Sequence, residues 1–593
     1  MEKFLLLNLK VTPDERKQIT GTFKTLCTDE DRIEFTLNVM LEYNIIPEVH
    51  RNPKNAEEAE KFRAQGNKIY VSKPLTNVSC IEALKLYTKS IANAPCSSKQ
   101  LALAYGNRSA VLLKLHRYEE CIRDIERALV LSCPDNSKAK LYMRKAESLK
   151  ALQKKNSSLE YTNDTELNNT NSYFEIKSYN NEIPCASDAL SLIYNEEYGR
   201  HIVANRRINP GETIITETYY SKLLHQDKLY THCSNCLEVC YANIPCNSCI
   251  YAMYCSEECR IEQWKKCHDM ECAVFPSMLK MKYITEDLFS LRLAIQAVKE
   301  SNIDDLRKEL EEVDRYNDPR TKGFSKNGIF ESNRYRSLLS LITNTEKRSF
   351  DDLFTRCLDS SFILYFLATC TNMFGKPLKN DLSLLMKNPD VIFVGGLVLR
   401  HQQVIPSNAH SISEEHVVTE YRGAGILPFS SLLNHNCNAN TTRVDRGKNM
   451  SVITIYPIKP GEQIFCDYGY QYGLGKKSER QMKLLRQFHF NCNCVACRED
   501  WPEYYYLKSA ITPTIDNDLK SKILIMLLKF SDYFDIVKAG DLDDKPYILP
   551  DIIEMIEILH EKVPLPNREI TNAVEIMKQI YALQGNVFRL PQL

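Results

Sequence analysis

The sequence has no excess charge of either sign: lysine plus arginine and aspartate plus glutamate both number 76 in 593 residues. No global basic field therefore draws it to nucleic acid or to an anionic membrane. Little in it reads as an address. The opening "MEKFLLLNLK" has a short apolar run before its charges and no small-residue cleavage site, which argues against a secretory leader. No apolar stretch is expected to approach the roughly 20 residues that cross a bilayer, and no Lys/Arg cluster of the importin type stands out. Without export, the 22 cysteines are expected to be reduced, metal-bound or packed rather than paired in disulfides. Sequons such as Asn168–Thr170 then go unglycosylated. The length exceeds one core and suggests about four domains.

What the chain does have is a set of polar side chains where a core should be. The apolar run "GILPFSSLL" reads as a buried strand, and "NHNCNAN" follows it directly, with Asn434, His435, Cys437 and Asn440. Buried polar groups cost stability unless they are paired. Something in that core must satisfy them.

Upstream, the first 55 residues are charged and weakly helical. From Ala56 to about Leu152 helical periodicity comes in pairs. Gly66, Ala83, Tyr87 and Pro95 fit one tetratricopeptide (TPR) repeat, Tyr105, Leu113, Tyr118, Cys121 and Ala128 fit a second, and a third has at least its first helix. The array resembles the TPR domains that clamp the C-terminal carboxylates of heat-shock chaperones. That resemblance implies a clamp of Arg63, Asn67, Asn107, Lys140 and Arg144, the last two at i and i+4 on one helix face, suited to a carboxylate. The plainer alternative is common repeat vocabulary with solvated cations. Residues 153 to 175 are polar, Asn/Ser/Thr-rich and without period, and read as a linker.

Between Cys233 and Cys272 stand Cys-x2-Cys, Cys-x2-Cys, Cys-x3-Cys and His-x3-Cys, eight ligands that suit two closed tetrahedral zinc sites. The pattern resembles the MYND zinc finger. By that likeness one ion takes Cys233, Cys236, Cys255 and Cys259 and the other Cys246, Cys249, His268 and Cys272. Cys240 and Cys267 lie inside the module but outside the pattern, which leaves a swapped ligand open. Closed sites have no free coordination position, so these zincs are expected to be structural. The module carries six acidic against three basic side chains, which favours a peptide ligand over DNA.

On either side lie "EEYGRHIVANRRINPGETIITE" and "MSVITIYPIKPGEQIFCDYGY", each read as strand, Pro-Gly turn, strand. They suggest one β domain interrupted by the finger and by a largely helical stretch, 276 to 395. "YGRHIVA", the finger, the helical insert, "LLNHNC", "GEQIFCDYGY" and "FNCNCVAC", in that order across residues 56 to about 500, resemble the SET-and-MYND (SMYD) protein lysine methyltransferases. The preceding repeats make the chain similar to the TPR-bearing fourth type of that family.

The resemblance implies the following. Tyr198, Gly199, Arg200, Asn408, Asn434, His435, Tyr468 and Phe490 contact S-adenosyl-L-methionine. Tyr468 is the active-site tyrosine, with Tyr470 the runner-up. Cys437 joins Cys492, Cys494 and Cys497 around a third structural zinc. Cys466 is a buried thiol. Three positions depart from the family pattern: His201 stands for a glycine, Asn436 for serine and Ala439 for proline. Methyl transfer needs a neutral, aligned lysine amine, which an apolar channel favours by lowering the amine pKa.

The expected fold is α+β and multidomain. A helical N-terminal segment (1–55), TPR repeats (56–155) and a linker (156–180) lead to the first SET part (181–232), the MYND finger (233–272) and a helical SET insert (273–395). The SET core (396–475), a post-SET zinc segment (476–500) and a helical C-terminal region (501–593) complete it. The expected activity is methyl transfer to lysine of histone or other proteins; the alternative is a weakly active or silent SET protein acting as a TPR/MYND adaptor in transcriptional regulation. Expected partners are the substrate protein, a chaperone C-terminal peptide and a corepressor-type peptide on the finger, with no direct nucleic acid or membrane contact. A monomer in cytoplasm and nucleus is expected.

Overall fold

A computed structural model describes residues 11–131, 133–159, 174–379, 381–415, 419–511, 515–589, 591 and 593. The opening decapeptide and most of the expected linker lie outside the described residues.

The first 55 residues do not stand apart. Helices Pro13–Phe23 and Asp29–Glu42 each begin at a capping box, Thr12 with Glu15 and Thr28 with Asp31, which satisfies the orphan N–H groups of the first turn. Phe23, Ile33, Leu37 and Met40 are buried in the largest core of the molecule together with the helices of the insert. Phe23 meets Phe354 edge-on at 5.2 Å between ring centroids. A β-carbon on Gly395 would lie 2.8 Å from the Ile33 side chain, so that side chain packs onto the helix backbone where a side chain is missing.

Five helices follow, Ala56–Tyr70, Asn77–Asn93, Lys99–Lys114, Tyr118–Val130 and Asp135–Leu159, each packed on the next. The last runs past the expected boundary and covers the start of the expected linker. Gly66 sits where helix 56–70 crosses the Tyr87 ring: an added β-carbon would lie 2.7 Å from that ring. Gly66→Ala is therefore expected to destabilise the chain by about 1–3 kcal/mol through overpacking. An unshifted urea midpoint would contradict so close an approach.

Among the described residues, twelve strands build the β part: β1 Leu190–Asn195, β2 Gly199–Ala204, β3 Thr213–Thr218, β4 Ser221–Leu224, β5 Ile244–Pro245, β6 Met253–Tyr254, β7 Ala409–Glu414, β8 Glu420–Ile426, β9 Asn434–His435, β10 Thr441–Arg446, β11 Asn449–Thr454 and β12 Phe465–Cys466. The Pro-Gly turns do not close hairpins, contrary to the simplest reading of the sequence. β2 pairs with β1, whereas β3, beyond the first turn, pairs with β11. Bridges Val203–Gln463 and Ile208–Ile458 stitch the same two regions together. Strands far apart in sequence thus share a sheet, and the cysteine module and helical insert leave and return between them. β9 and β12 form a short parallel pair, which sets Asn434 beside Phe465 and His435 beside Cys466.

Helix Phe350–Cys370, in the insert, corrects the expectation that no stretch approaches a membrane span. By length and composition its 21 residues could cross a bilayer, with mean hydropathy 1.3, yet 72% of that window is buried among its neighbours. It is an inner helix of the large core, packed on Asp29–Glu42 and Pro389–Asn408. Helices Asn517–Ala539, Ile548–Lys562 and Arg568–Ala582 form a core of their own that includes Val444 and Ile453 of the sheet.

Candidate active site and metal centres

Among the described residues, three groups of four ligand atoms converge: Cys233, Cys236, Cys255 and Cys259; Cys246, Cys249, His268 and Cys272; Cys437, Cys492, Cys494 and Cys497. Within each group the ligand atoms lie within 4.8 Å of one another. A tetrahedral zinc with Zn–S of about 2.3 Å sets its thiolates roughly 3.8 Å apart. Cys236 to Cys255 is 3.7 Å, Cys246 to Cys272 3.9 Å and Cys437 to Cys497 3.6 Å. The spacing and the sulfur-rich donor sets fit zinc. Cys240 and Cys267 are buried nearby but belong to none of the groups.

The surroundings of the ligands add what spacing alone could not give. His268 Nδ1 faces Glu271 Oε2 at 3.4 Å, and Glu271 is clasped by Arg292 at 2.6 and 2.9 Å. A carboxylate behind a ligating imidazole fixes its orientation and leaves Nε2 for the metal. Burial alone would raise the Glu271 carboxyl, but Arg292 and His268 hold it down at about 2. Arg480 approaches Cys497 Sγ at 3.8 Å and gives positive charge to the third, thiolate-rich group.

The polar residues behind "GILPFSSLL" find their partners around β9 and β12. Asn440 donates to the Gln463 carbonyl at 2.9 Å and accepts from the Phe465 N–H at 2.8 Å. The Asn434 amide reaches the Tyr198 carbonyl at 3.3 Å. His435 accepts the Tyr468 backbone N–H on Nδ1 at 3.2 Å and turns Nε2 to Cys437 Sγ at 3.4 Å, and burial pushes its pKa down to about 4. The Tyr468 hydroxyl donates to the Leu433 carbonyl at 2.8 Å, and burial raises its pKa. Its ring lies 5.2 Å from His435 and 4.6 Å from Phe488. Phe490 faces His435 at 6.2 Å. Tyr198, Asn434, His435, Tyr468 and Phe490 are therefore one constellation, joined to the third cysteine group through Cys437.

The SET domain family matches this chain over residues 199–469, the span from the first turn of this constellation to just past Tyr468. Protein-lysine N-methyltransferase SMYD4 of Mus musculus is 26% identical over 539 residues, 74% of this chain and 66% of that protein. The same-named human protein is 25% identical over 550 residues, 75% of this chain and 68% of its own length. A SET and MYND domain-containing protein of Dictyostelium discoideum is 22% identical over 327 residues, 53% of this chain and 82% of that protein. The chain is similar to the SET and MYND domain proteins. It spans about two thirds of the length of the SMYD4 relatives.

In this chain, two of the expected cofactor residues point elsewhere. Arg200 donates to the Lys322 carbonyl at 2.7 Å, to Ser340 Oγ at 3.1 Å and to the Ser340 carbonyl. Without a carboxylate beside it, burial lowers its pKa to about 10. Asn408 donates to the carbonyls of Ile342 and Val404 at 3.0 and 2.8 Å. Both side chains hold the insert loop around Ser340 and Ile342 against the SET strands. Tyr470 reaches Gln487, away from Leu433.

Two of the three departures from the family pattern are absorbed locally. Gly199 has φ +65°, which favours glycine, but His201 sits in β2 with no positive φ and bonds the Gly199 carbonyl at 2.9 Å. The backbone at His201 needs no glycine. Asn436 Oδ1 accepts from the Asn438 N–H at 2.9 Å, a local turn that the serine of the pattern could also make.

Glu217 and the cleft were not legible in the sequence. Glu217 is fully buried and accepts from the N–H groups of Phe429 and Ser430 at 2.9 and 2.8 Å and from the Ser430 hydroxyl at 2.6 Å. Burial pushes its carboxyl up to about 7. It fixes the turn that aims the Leu433 carbonyl at Tyr468. A cleft of about 820 Å³ opens from Leu433 and Tyr468 and passes between the SET strands and helix Arg568–Ala582, with Asn572 and Glu575 on the far wall.

The groups expected to clamp a carboxylate are largely engaged with one another. Arg63 pairs with Glu60, Asn107 donates to Asn67 Oδ1 at 2.6 Å, and Tyr87 donates to the same oxygen at 2.9 Å. Arg144 donates to the Gly106 carbonyl and to Ser109 Oγ at 2.8 and 2.7 Å. Lys140 is exposed.

Proposed function

We propose that the chain transfers a methyl group from S-adenosyl-L-methionine to the side-chain amine of a protein lysine. The observation that carries this reading is the Tyr468 phenol, held on the Leu433 carbonyl beside His435 at the inner end of the cleft. The neighbouring surface suits a cationic cofactor with an adenosine-like body. It offers the Asn434 amide, the Tyr198 and Leu433 carbonyls and the Phe490 ring, and the space around the Gly199 α-carbon is open. When bound, the cofactor supplies the methyl carbon.

The residues of the chain do the rest. The Tyr468 oxygen and the Leu433 carbonyl align the lysine nitrogen, whose lone pair forms the new N–C bond as the methyl–sulfur bond breaks and its electron pair stays on sulfur. The walls of Phe488 and Leu433 disfavour the ammonium form, so the amine gives up its proton to water before it attacks. The twelve Cys/His ligands are structural in this reading, because each group of four closes a tetrahedron. Helices 56–159 act as a TPR-type array and the finger as a MYND module, both oriented toward protein partners. A peptide carboxylate in the array is supported by the exposed Lys140 and would have to compete with the Asn67–Asn107 and Arg144–Gly106 contacts.

The test is methyl transfer from labelled S-adenosylmethionine to a whole-cell extract by the zinc-loaded chain beside Tyr468→Phe. Loss of the aligning hydroxyl should lower the rate about 10- to 100-fold. Equal labelling by both proteins, each folded and zinc-replete, would remove Tyr468 from the mechanism; no label from either would favour the adaptor reading.

A further inference from the structure

The cleft that leads to Tyr468 holds one guanidinium with an unusual partner. Arg443, in the middle of β10, lines the cleft and is reached by solvent. Among the described residues its hydrogen bond is to an uncharged acceptor, the Nδ1 atom of His410 on β7. The other His410 nitrogen, Nε2, faces Ser431 Oγ at 3.2 Å. With Nδ1 accepting, the proton resides on Nε2, and burial together with Arg443 keeps this ring neutral by holding its pKa well below the ordinary value. A neutral imidazole positions a guanidinium without cancelling its charge.

The acidic groups around Arg443 are already committed. Asp445 accepts from the Tyr219 hydroxyl and, at 2.7 Å each, from the Ser413 N–H and hydroxyl. Asp467 accepts from the N–H groups of Gly469 and Tyr470 and from the Gln471 amide. Across the cleft, Glu575 pairs with Lys578 at 2.8 Å. Asp445 and Asp467 are near enough to favour the charged form of Arg443, but neither forms an ion pair with it within 4.0 Å among the described residues. Arg443 is also near enough to Tyr468 for its charge to counter the burial that raises the phenol pKa.

We propose that Arg443 selects the substrate: the cleft takes a protein segment that carries an aspartate or glutamate within a few residues of the lysine presented to Tyr468. A planar fork held from one side offers its free edge to a carboxylate. The proposal rests on the methyl-transfer reading only for the identity of the lysine.

The probe is a set of peptides with one central lysine and glutamate or glutamine at each position from three before to three after it. Both labelling and binding of each Glu/Gln pair are measured with the wild type, Arg443→Gln and Arg443→Lys. At one or two positions the wild type should prefer glutamate about tenfold; Arg443→Gln should bring the ratio close to one, and Arg443→Lys should keep part of it. Zinc content reports folding of each variant. Labelling with no preference, or with the same preference in Arg443→Gln, overturns the proposal and leaves methyl transfer standing. Selective binding without labelling upholds it and sinks methyl transfer. Neither labelling nor selective binding overturns both.

Discussion

A Cys437→Ser chain is expected to carry one zinc fewer per molecule and to bind S-adenosylmethionine about 10- to 100-fold more weakly, the range found when support around a metal site is lost. The argument starts from position. Cys437 is buried, 4.0 Å from Cys492 and 3.6 Å from Cys497, and its sulfur also lies 3.4 Å from His435 Nε2. The same segment carries Asn434 and His435 three and two residues earlier, on the strand paired with β12. The third cysteine group therefore fastens 492–497 onto the strand that forms the constellation. A serine oxygen is a poor zinc ligand, and three thiolates with their charge uncompensated repel one another. Phe490, two residues before Cys492, should then leave the face of His435. Zinc analysis by mass spectrometry and cofactor titration by calorimetry read the two effects separately. Full zinc with wild-type affinity would break the link; zinc loss with wild-type affinity would detach the metal group from the cofactor surface.

How far the sequence could be read follows from whether a signal is local. Cysteine spacing is local and marked eight ligands for two closed sites; the interleaved grouping implied by the likeness to the MYND finger is the one the structure brings together, each group joining a Cys-x2-Cys turn to a pair spaced by three residues. "NHNC" was legible as a buried polar cluster for the same reason. Sheet pairing is not local, and β3 with β11, 231 residues apart at Thr218 and Asn449, left no mark that the Pro-Gly turns could not have made alone. Helix Asp29–Glu42 reads only as part of a weakly helical segment because its apolar face is short and interrupted by charge, so that only the insert helices reveal what it covers. Arg443 in "TTRV" reads as an outward residue of an ordinary strand until His410, 33 residues away, is seen to hold it. Arg200 and Asn408 show the reverse limit: a motif position can be kept while its side chain supports a neighbouring loop.

Asp124→Asn is the second change with a large expected cost, about 3–5 kcal/mol of unfolding free energy, because it removes the one carboxylate between two guanidinium groups. Arg108 is completely buried and meets Asp124 through two bonds of 2.7 and 2.9 Å, with Thr88 Oγ1 at 3.1 Å. Arg127 meets the same carboxylate at 3.0 Å. Both arginines then leave the helical array: Arg108 donates to the Asn243 carbonyl at 2.8 Å and Arg127 to the Ala242 carbonyl at 2.7 Å, at the entry to β5 of the finger. An asparagine keeps the shape but leaves the Arg108 charge with no counter-ion in a dry site, and desolvation then exceeds what the hydrogen bonds return. Replacing Arg108 as well, Arg108→Met with Asp124→Leu, should cost less, since the fully buried guanidinium goes with its carboxylate and the Arg127 left behind is partly exposed to water and keeps the Ala242 carbonyl. Urea unfolding of the two variants beside the wild type measures the difference, and hydrogen exchange should locate the single-variant loss in helices 99–130 and in residues 242–245 together. Equal cost in the single and double variants would assign the effect to packing. Loss confined to the helices would mean that the array and the finger are not coupled through these carbonyls, and that a ligand in the array could move without moving the finger.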